Sequence, residues 1–130
     1  MRCFHAFFGL LALAALGLGC SSAGLSHALE AFHDGRLPAA AAELRALEGS
    51  YADENDRERA RYALYRGLTE LGLGNVVVAE RWLALAWRAD AADARCFDAR
   101  DHGALLSAWR SLGRLPGEPG TAGSATSRGG

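Results

Sequence analysis

Cys96, Asp98, Asp101 and His102 lie within seven residues, and all four side chains can bind a metal or move a proton. Thiolate, carboxylate and imidazole are all transition-metal ligands, and a thiol near an imidazole is also a nucleophilic or redox pair. Their spacing fits no compact metal site, however, and acids just ahead of a helical pattern are what a helix N-terminus requires. His33 and Asp34 close another helical pattern, where an imidazole complements the negative end of the dipole. Glycine-rich phosphate loops, paired metal-type cysteines and nucleophile elbows are absent from the sequence. These residues therefore point to a protein that is not an enzyme, with no cofactor and no metal. The competing reading keeps thiol or metal chemistry on the loop holding Cys96 and His102.

Cys20 suggests a different chemistry. No formally charged side chain occurs between Arg2 and Glu30, residues 6–18 form an apolar run, and small residues surround Cys20. Positive start, apolar middle and small-residue end are the parts of a secretory signal peptide. The run gives about 20 Å of helix against a hydrocarbon core of about 30 Å, so export is favoured over a permanent span. Gly19 followed by Cys20 resembles the lipobox of bacterial lipoproteins, with Gly17 where that family usually has Leu and Leu16 one position further back. The resemblance implies that residues 1–19 are a signal peptide and that Cys20 is the attachment site for fatty acyl chains such as palmitate. Residues 20–24 would form a lipid-anchored linker. Two acyl chains hold a protein to a membrane far better than one. Ser21 lacks the acidic character of an inner-membrane retention signal, so the resemblance implies the periplasmic side of the outer membrane as the expected location. Cleavage after Gly19 or Ala23 without lipid would give a free periplasmic or secreted protein, and an uncleaved anchor is the third outcome. Export discards Cys3 and lipid blocks Cys20, leaving Cys96 as a small buried apolar residue with no intramolecular disulfide.

The elements that must position these residues read as helices. The chain has 130 residues, half of them hydrophobic and rich in Ala and Leu, with 16 glycines as punctuation. This suits one small domain of short helices. Its 14 basic residues, all Arg, are balanced by 15 acids to a net charge of −1, which argues against a nucleic-acid partner. Leu25, Ala28, Leu29 and Phe32 share one face of a first helix ending at Asp34 and Gly35. Pro38 opens a second helix with Ala40, Ala41, Leu44 and Leu47 on its stripe, closed by Gly49 and Ser50. Residues 51–56 form a polar connector. A third helix starts near Asp56 or Arg57, carries Ala60, Leu64, Gly67, Leu68 and Leu71, and ends at Gly72 and Gly74. A fourth spans residues 76–89 and a loop spans 90–100. Asp101 is the expected N-cap of a fifth helix with Leu105, Leu106, Trp109 and Leu112, and residues 114–130 read as a disordered tail. Arg57, Arg59 and Arg61, interleaved with acids, read as a solvated helix entry, and Arg45, Arg81 and Arg88 as outer-face residues.

The first two helices and the next two form hairpins that overlay at an offset of 39 residues, matching Gly35 to Gly74, Ala40 to Ala79 and Leu44 to Leu83. Gly67 and Ala79 are expected to face each other across the second turn. Of Trp82 and Trp87, five apart on one helix, at most one is expected to face the core. Residues 60–91 resemble a tetratricopeptide repeat, with Gly67, Gly74, Ala79, Leu83 and Ala86 at signature positions. Ala63, Arg66 and Glu70 replace the family's first-helix Trp, Leu and Tyr. Residues 25–48 are a weaker copy.

The resemblance implies an all-α fold of two stacked αα-hairpins (tetratricopeptide-like) plus a C-terminal capping helix, together spanning residues 25–113. It also implies a binding groove faced by Arg61, Leu64, Tyr65 and Leu68 and rimmed by Arg57, Arg61 and Arg66, which would suit an amphipathic helix or an extended apolar segment. The groove lacks the Lys and Asn that the family uses to clamp a terminal carboxylate. Two units and a cap are marginal alone, so a partner, a second copy or the membrane surface is expected to cover part of the apolar area. The functional expectation is an exported, lipid-anchored adaptor or assembly factor binding a protein or peptide segment in the cell envelope. A self-associating structural lipoprotein, in effect a homo-oligomer, is an alternative beside the thiol or metal reading.

Overall fold

A computed structural model of the protein describes residues 20–114. It contains α1 (Cys20–His33), α2 (Leu37–Leu47), a one-turn 3-10 helix (Tyr51–Asp53), α3 (Asp56–Gly72), α4 (Val76–Ala92) and α5 (Ala99–Ser111), with no strand among the described residues. The all-α expectation holds. Residues 1–19, expected as a signal peptide, and 115–130, expected as tail, lie outside the described residues. Two expected boundaries change. Helix α1 begins at Cys20, so residues 20–24 belong to it rather than to a linker. Arg114, expected to open the tail, is tied to Glu80 of α4 at 3.2 Å.

Local chemistry explains where the helices start and stop. Asn55 caps α3 by accepting from the Glu58 backbone N–H at 3.0 Å, while its own amide donates to the Glu58 carboxylate at 2.9 Å. This reciprocal pair satisfies donors that the first turn would otherwise orphan. Asp98, not Asp101, caps α5, accepting from the Asp101 N–H at 2.8 Å. The expected N-cap therefore sits one turn inside the helix and is free for another role. Helix α4 continues to Ala92, so the expected 90–100 loop shrinks to 93–98. Ala89, Ala91 and Ala92 are strong helix formers, and Asp90 turns its carboxylate to His102 at 3.0 Å instead of ending the helix.

Gly35, Gly74 and Gly113 each follow a helix with positive φ, of 75°, 83° and 68°. Only glycine enters this region cheaply, so these are the C-terminal stops of α1, α3 and α5. The three are 39 residues apart, which extends the hairpin offset to a third member, and Gly-Arg-Leu-Pro at residues 35–38 recurs at 113–116.

Helix α1 packs along α2 and α3 along α4; α2 also meets α3, α4 meets α5, and both α1 and α5 lie against α3. Helix α3 is thus enclosed by all the others. Its own Leu64 and, from the helices around it, Leu44, Leu83 and Leu105 are completely buried. Ala40 and Ala79 are equally buried, as are Leu44 and Leu83, in keeping with the overlay. The partner of Gly67 differs from expectation. A Cβ built on Gly67 would lie 2.7 Å from Leu83 Cγ and 3.0 Å from the Leu83 backbone nitrogen, so the glycine makes room for Leu83 rather than facing Ala79. Leu37 likewise sits over Gly72, where an added Cβ would come within 2.7 Å of its Cδ1. Trp82 and Trp87 are both half-buried against the core, so neither is an exposed anchor.

Gly67→Ala should lower stability by about 2 kcal/mol, because the closest neighbours include backbone that cannot swing aside. Gly103→Ala, in α5 with nothing within 4 Å of the added Cβ, should raise it by roughly 0.5–1 kcal/mol through helix propensity alone. Urea denaturation of the two variants beside wild type checks both signs.

Candidate functional site

The central helix carries charge into the interior. Arg66 and Glu70, one turn apart on α3, are both buried and paired with each other. Glu70 also accepts from Arg45 of α2 at 2.9 Å and from Asn75 at 2.6 Å. The Arg66 guanidinium lies 5.9 Å from the Trp82 ring centre, and Trp82 packs edge-on against Tyr51 and Tyr62. Burial pushes Glu70 up, but the hydrogen bonds from Arg66, Asn75 and Arg45 outweigh it and leave the carboxyl below its ordinary pKa. Arg66 is therefore no rim residue: an internal carboxylate and an aromatic face make its burial tolerable. Nor is Arg45 simply an outer-face residue, since it ties α2 to α3.

On the opposite side of α3 a second buried acid joins it to α5. Asp101 accepts from the Tyr65 hydroxyl at 2.7 Å and from Arg61 Nε at 3.2 Å. Burial, then the bond to Asp101, pushes Tyr65 up to about 12, so it stays a hydroxyl donor at any physiological pH. The Tyr65 ring also meets Phe32 and His33 of α1 edge-on, at 5.2 and 5.5 Å between centroids.

This face opens into a groove of about 430 Å³ with walls from α1, α3 and α5, lined by Phe32, His33, Tyr65, Leu68, Arg100, Ala104, Ser107, Ala108 and Ser111. Of the four residues expected to face a groove, Tyr65 and Leu68 line it. Leu64 lies beneath, wholly buried, and Arg61 is turned to Asp101. Arg57 stays exposed on the first turn of α3 and does not reach the lining. The basic group at the groove is instead Arg100, which reaches from α5 to donate to His33 Nδ1 on α1 at 3.2 Å. Its place in the sequence, on a segment expected to be loop, concealed it.

Cys96, Asp98, Asp101 and His102, the residues of the competing thiol or metal reading, each have separate surroundings. Cys96 is buried beside a separate cleft of about 290 Å³ whose lining includes Tyr51, Asp56, Ala60, Ala63, Leu85 and Asp93. His102 pairs with Asp90, Asp98 caps α5, and Asp101 serves Tyr65 and Arg61. Among the described residues no three His, Cys, Asp or Glu side chains are grouped to hold a metal ion. Burial, then the nearby carboxylates of Asp93, Asp56 and Asp90, pushes the Cys96 thiol up, away from the thiolate that nucleophilic chemistry needs. Elsewhere, Val77 at the α3–α4 turn is 69% exposed, with Leu73, Val76 and Val78 beside it.

Glu70→Gln should cost about 3 kcal/mol at neutral pH, because it removes the buried countercharge of Arg66 and leaves only the half-exposed Glu48 at 3.8 Å. The carboxyl lies below its ordinary value of 4.5 in the folded protein, so its stabilisation is complete above that pH and drains away as the pH falls below it. Urea midpoints measured at several pH values should fall for wild type as the solution is acidified below the ordinary carboxylate range, and less steeply for Glu70→Gln.

Comparison with protein-family models, with curated proteins and with solved structures gave no match to this chain.

Proposed function

We propose that the protein is an exported, lipid-anchored adaptor or assembly factor of the cell envelope, gripping a segment of a partner protein in the groove between α1, α3 and α5. In this reading the helices stack as tetratricopeptide-like units. Helices α1 and α2 form one unit, α3 and α4 the next, and α5 is the first helix of a third unit that serves as cap. The recurrence of Gly35, Gly74 and Gly113 at one spacing and one backbone conformation supports this arrangement, as does each hairpin packing on the next.

One observation carries the binding role: the first helix of each hairpin and the capping helix line a single open groove that mixes aromatic, aliphatic, hydroxyl and basic side chains. Few convergent polar groups in an otherwise apolar concavity are the usual make-up of a recognition site. The anchoring part of the proposal rests on Cys20 and the apolar residues before it. It is compatible with the helices described, none of which is long and apolar enough to cross a membrane.

A photo-crosslinking side chain placed at Ser107, exposed in the groove, should give one discrete adduct in intact cells. The same group at Arg88, exposed on α4 away from it, should give none. Equal adducts from both positions would remove the groove from the argument. Labelling with a fatty-acid analogue should be lost in Cys20→Ser, and equal label in both proteins would remove the anchor.

A further inference from the structure

The groove's lining contains no Asp and no Glu, yet it contains Arg100 and His33. Three nearby carboxylates have partners of their own. Asp101 is buried under Tyr65 and Arg61, Asp98 accepts from the Asp101 N–H at the start of α5, and Asp34 is taken by Arg36 at 3.2 Å. Among the described residues Arg100 enters no ion pair; its side-chain hydrogen bond goes to an imidazole nitrogen, and the carboxylate that feels its charge, Asp98, lies outside the lining. One end of the groove is therefore positive. The rest is apolar and shallow, formed by Leu68, Phe32 and the small Ala104 and Ala108, with the Ser107 hydroxyl at the edge.

We propose that the groove selects an extended segment of a partner protein in which an acidic side chain lies next to apolar ones. The acid pairs with Arg100 and the apolar side chains lie against Leu68, Ala104 and Ala108. The inference rests on the binding role proposed above and adds to it the chemistry of the occupant. Geometry sets the length. From Arg100 to Ser111 along α5 is about 17 Å of helix, the span of roughly five residues of extended chain. A guanidinium presents a planar fork to a carboxylate, so the acid fixes register and direction while the alanines leave room for a neighbouring side chain. Because the pair forms at an open groove, salt weakens it.

The test pans a random short-peptide display library over the immobilised full chain and measures the selected peptides, synthesised and labelled, by fluorescence anisotropy. Arg100→Ala, Arg100→Lys and Leu68→Glu variants are measured in parallel, with circular dichroism checking that each stays helical. Expected are peptides enriched in Asp or Glu beside Leu, Ile or Phe. Their binding should fall roughly tenfold in Arg100→Ala, recover in part in Arg100→Lys, weaken with added salt and vanish in Leu68→Glu. Peptides that need Leu68 but carry no acidic preference, or bind Arg100→Ala undiminished, would overturn the inference and leave the groove as a binding site. If Leu68→Glu changes the binding of no selected peptide, both the inference and the binding role fall.

Discussion

Everything in this fold depends on burying a helix that is not apolar. Helix α3 is enclosed by four other helices, yet it brings Arg66, Glu70 and Thr69 into the interior and packs against the buried Asp101. A charge in such a place is tolerated only when a partner and hydrogen bonds replace its water. The chain supplies them in two directions. Glu70 gathers Arg66, Arg45 and Asn75, tying α2 to α3, and Asp101 gathers Tyr65 and Arg61, tying α5 to α3. Thr69 turns its hydroxyl back to the Tyr65 carbonyl at 2.7 Å. Apolar packing could have let these short helices slide along one another. Bonds of fixed direction between named atoms hold them in one register.

That register is also what makes the groove. Tyr65 serves both sides of α3: its hydroxyl is bound to Asp101, while its ring presses on Phe32 and His33. The aromatic contact sets the distance from α1 to α3, and the hydrogen bond sets the distance from α3 to α5. The space left over the ring is the groove, and Arg100 reaches across to close one end. The groove's lining and the packing of the helices thus share a residue.

Much of the architecture was legible in the residues. Helical spacing of Leu, Ala and Phe marked five helices, Gly35, Gly74 and Gly113 marked three of their ends, and the 39-residue offset put Leu44 and Leu83 in matching places. What escaped was set by contacts between distant residues. Arg66 was expected on the rim of the groove, because nothing local reveals that Trp82 lies over it and that Arg45 joins its partner Glu70. Gly67 was expected to face Ala79, but the crossing of α3 and α4 brings Leu83 against it. Asp101 looked like a cap because Asp98, three residues earlier, suits that place equally and only the tertiary pull of Tyr65 and Arg61 distinguishes them. In the groove, Tyr65 and Leu68 were found from the repeat pattern, whereas Arg100 was hidden in a stretch where the helix begins three residues earlier than expected.

Helix α5 has one flank in the body of the protein, and among the described residues no later helix covers the other. A helix covered on one flank opens with less free energy than the whole domain requires. The same helix forms one wall of the groove, so a bound segment would rest partly on the element most ready to detach. Occupancy and fraying then oppose each other by mass action: each contact a guest makes with Arg100, Ala104 or Ala108 must be broken before α5 can lift. An unoccupied molecule would be the form most open to proteolysis at its C-terminal end, and an occupied one the longer lived.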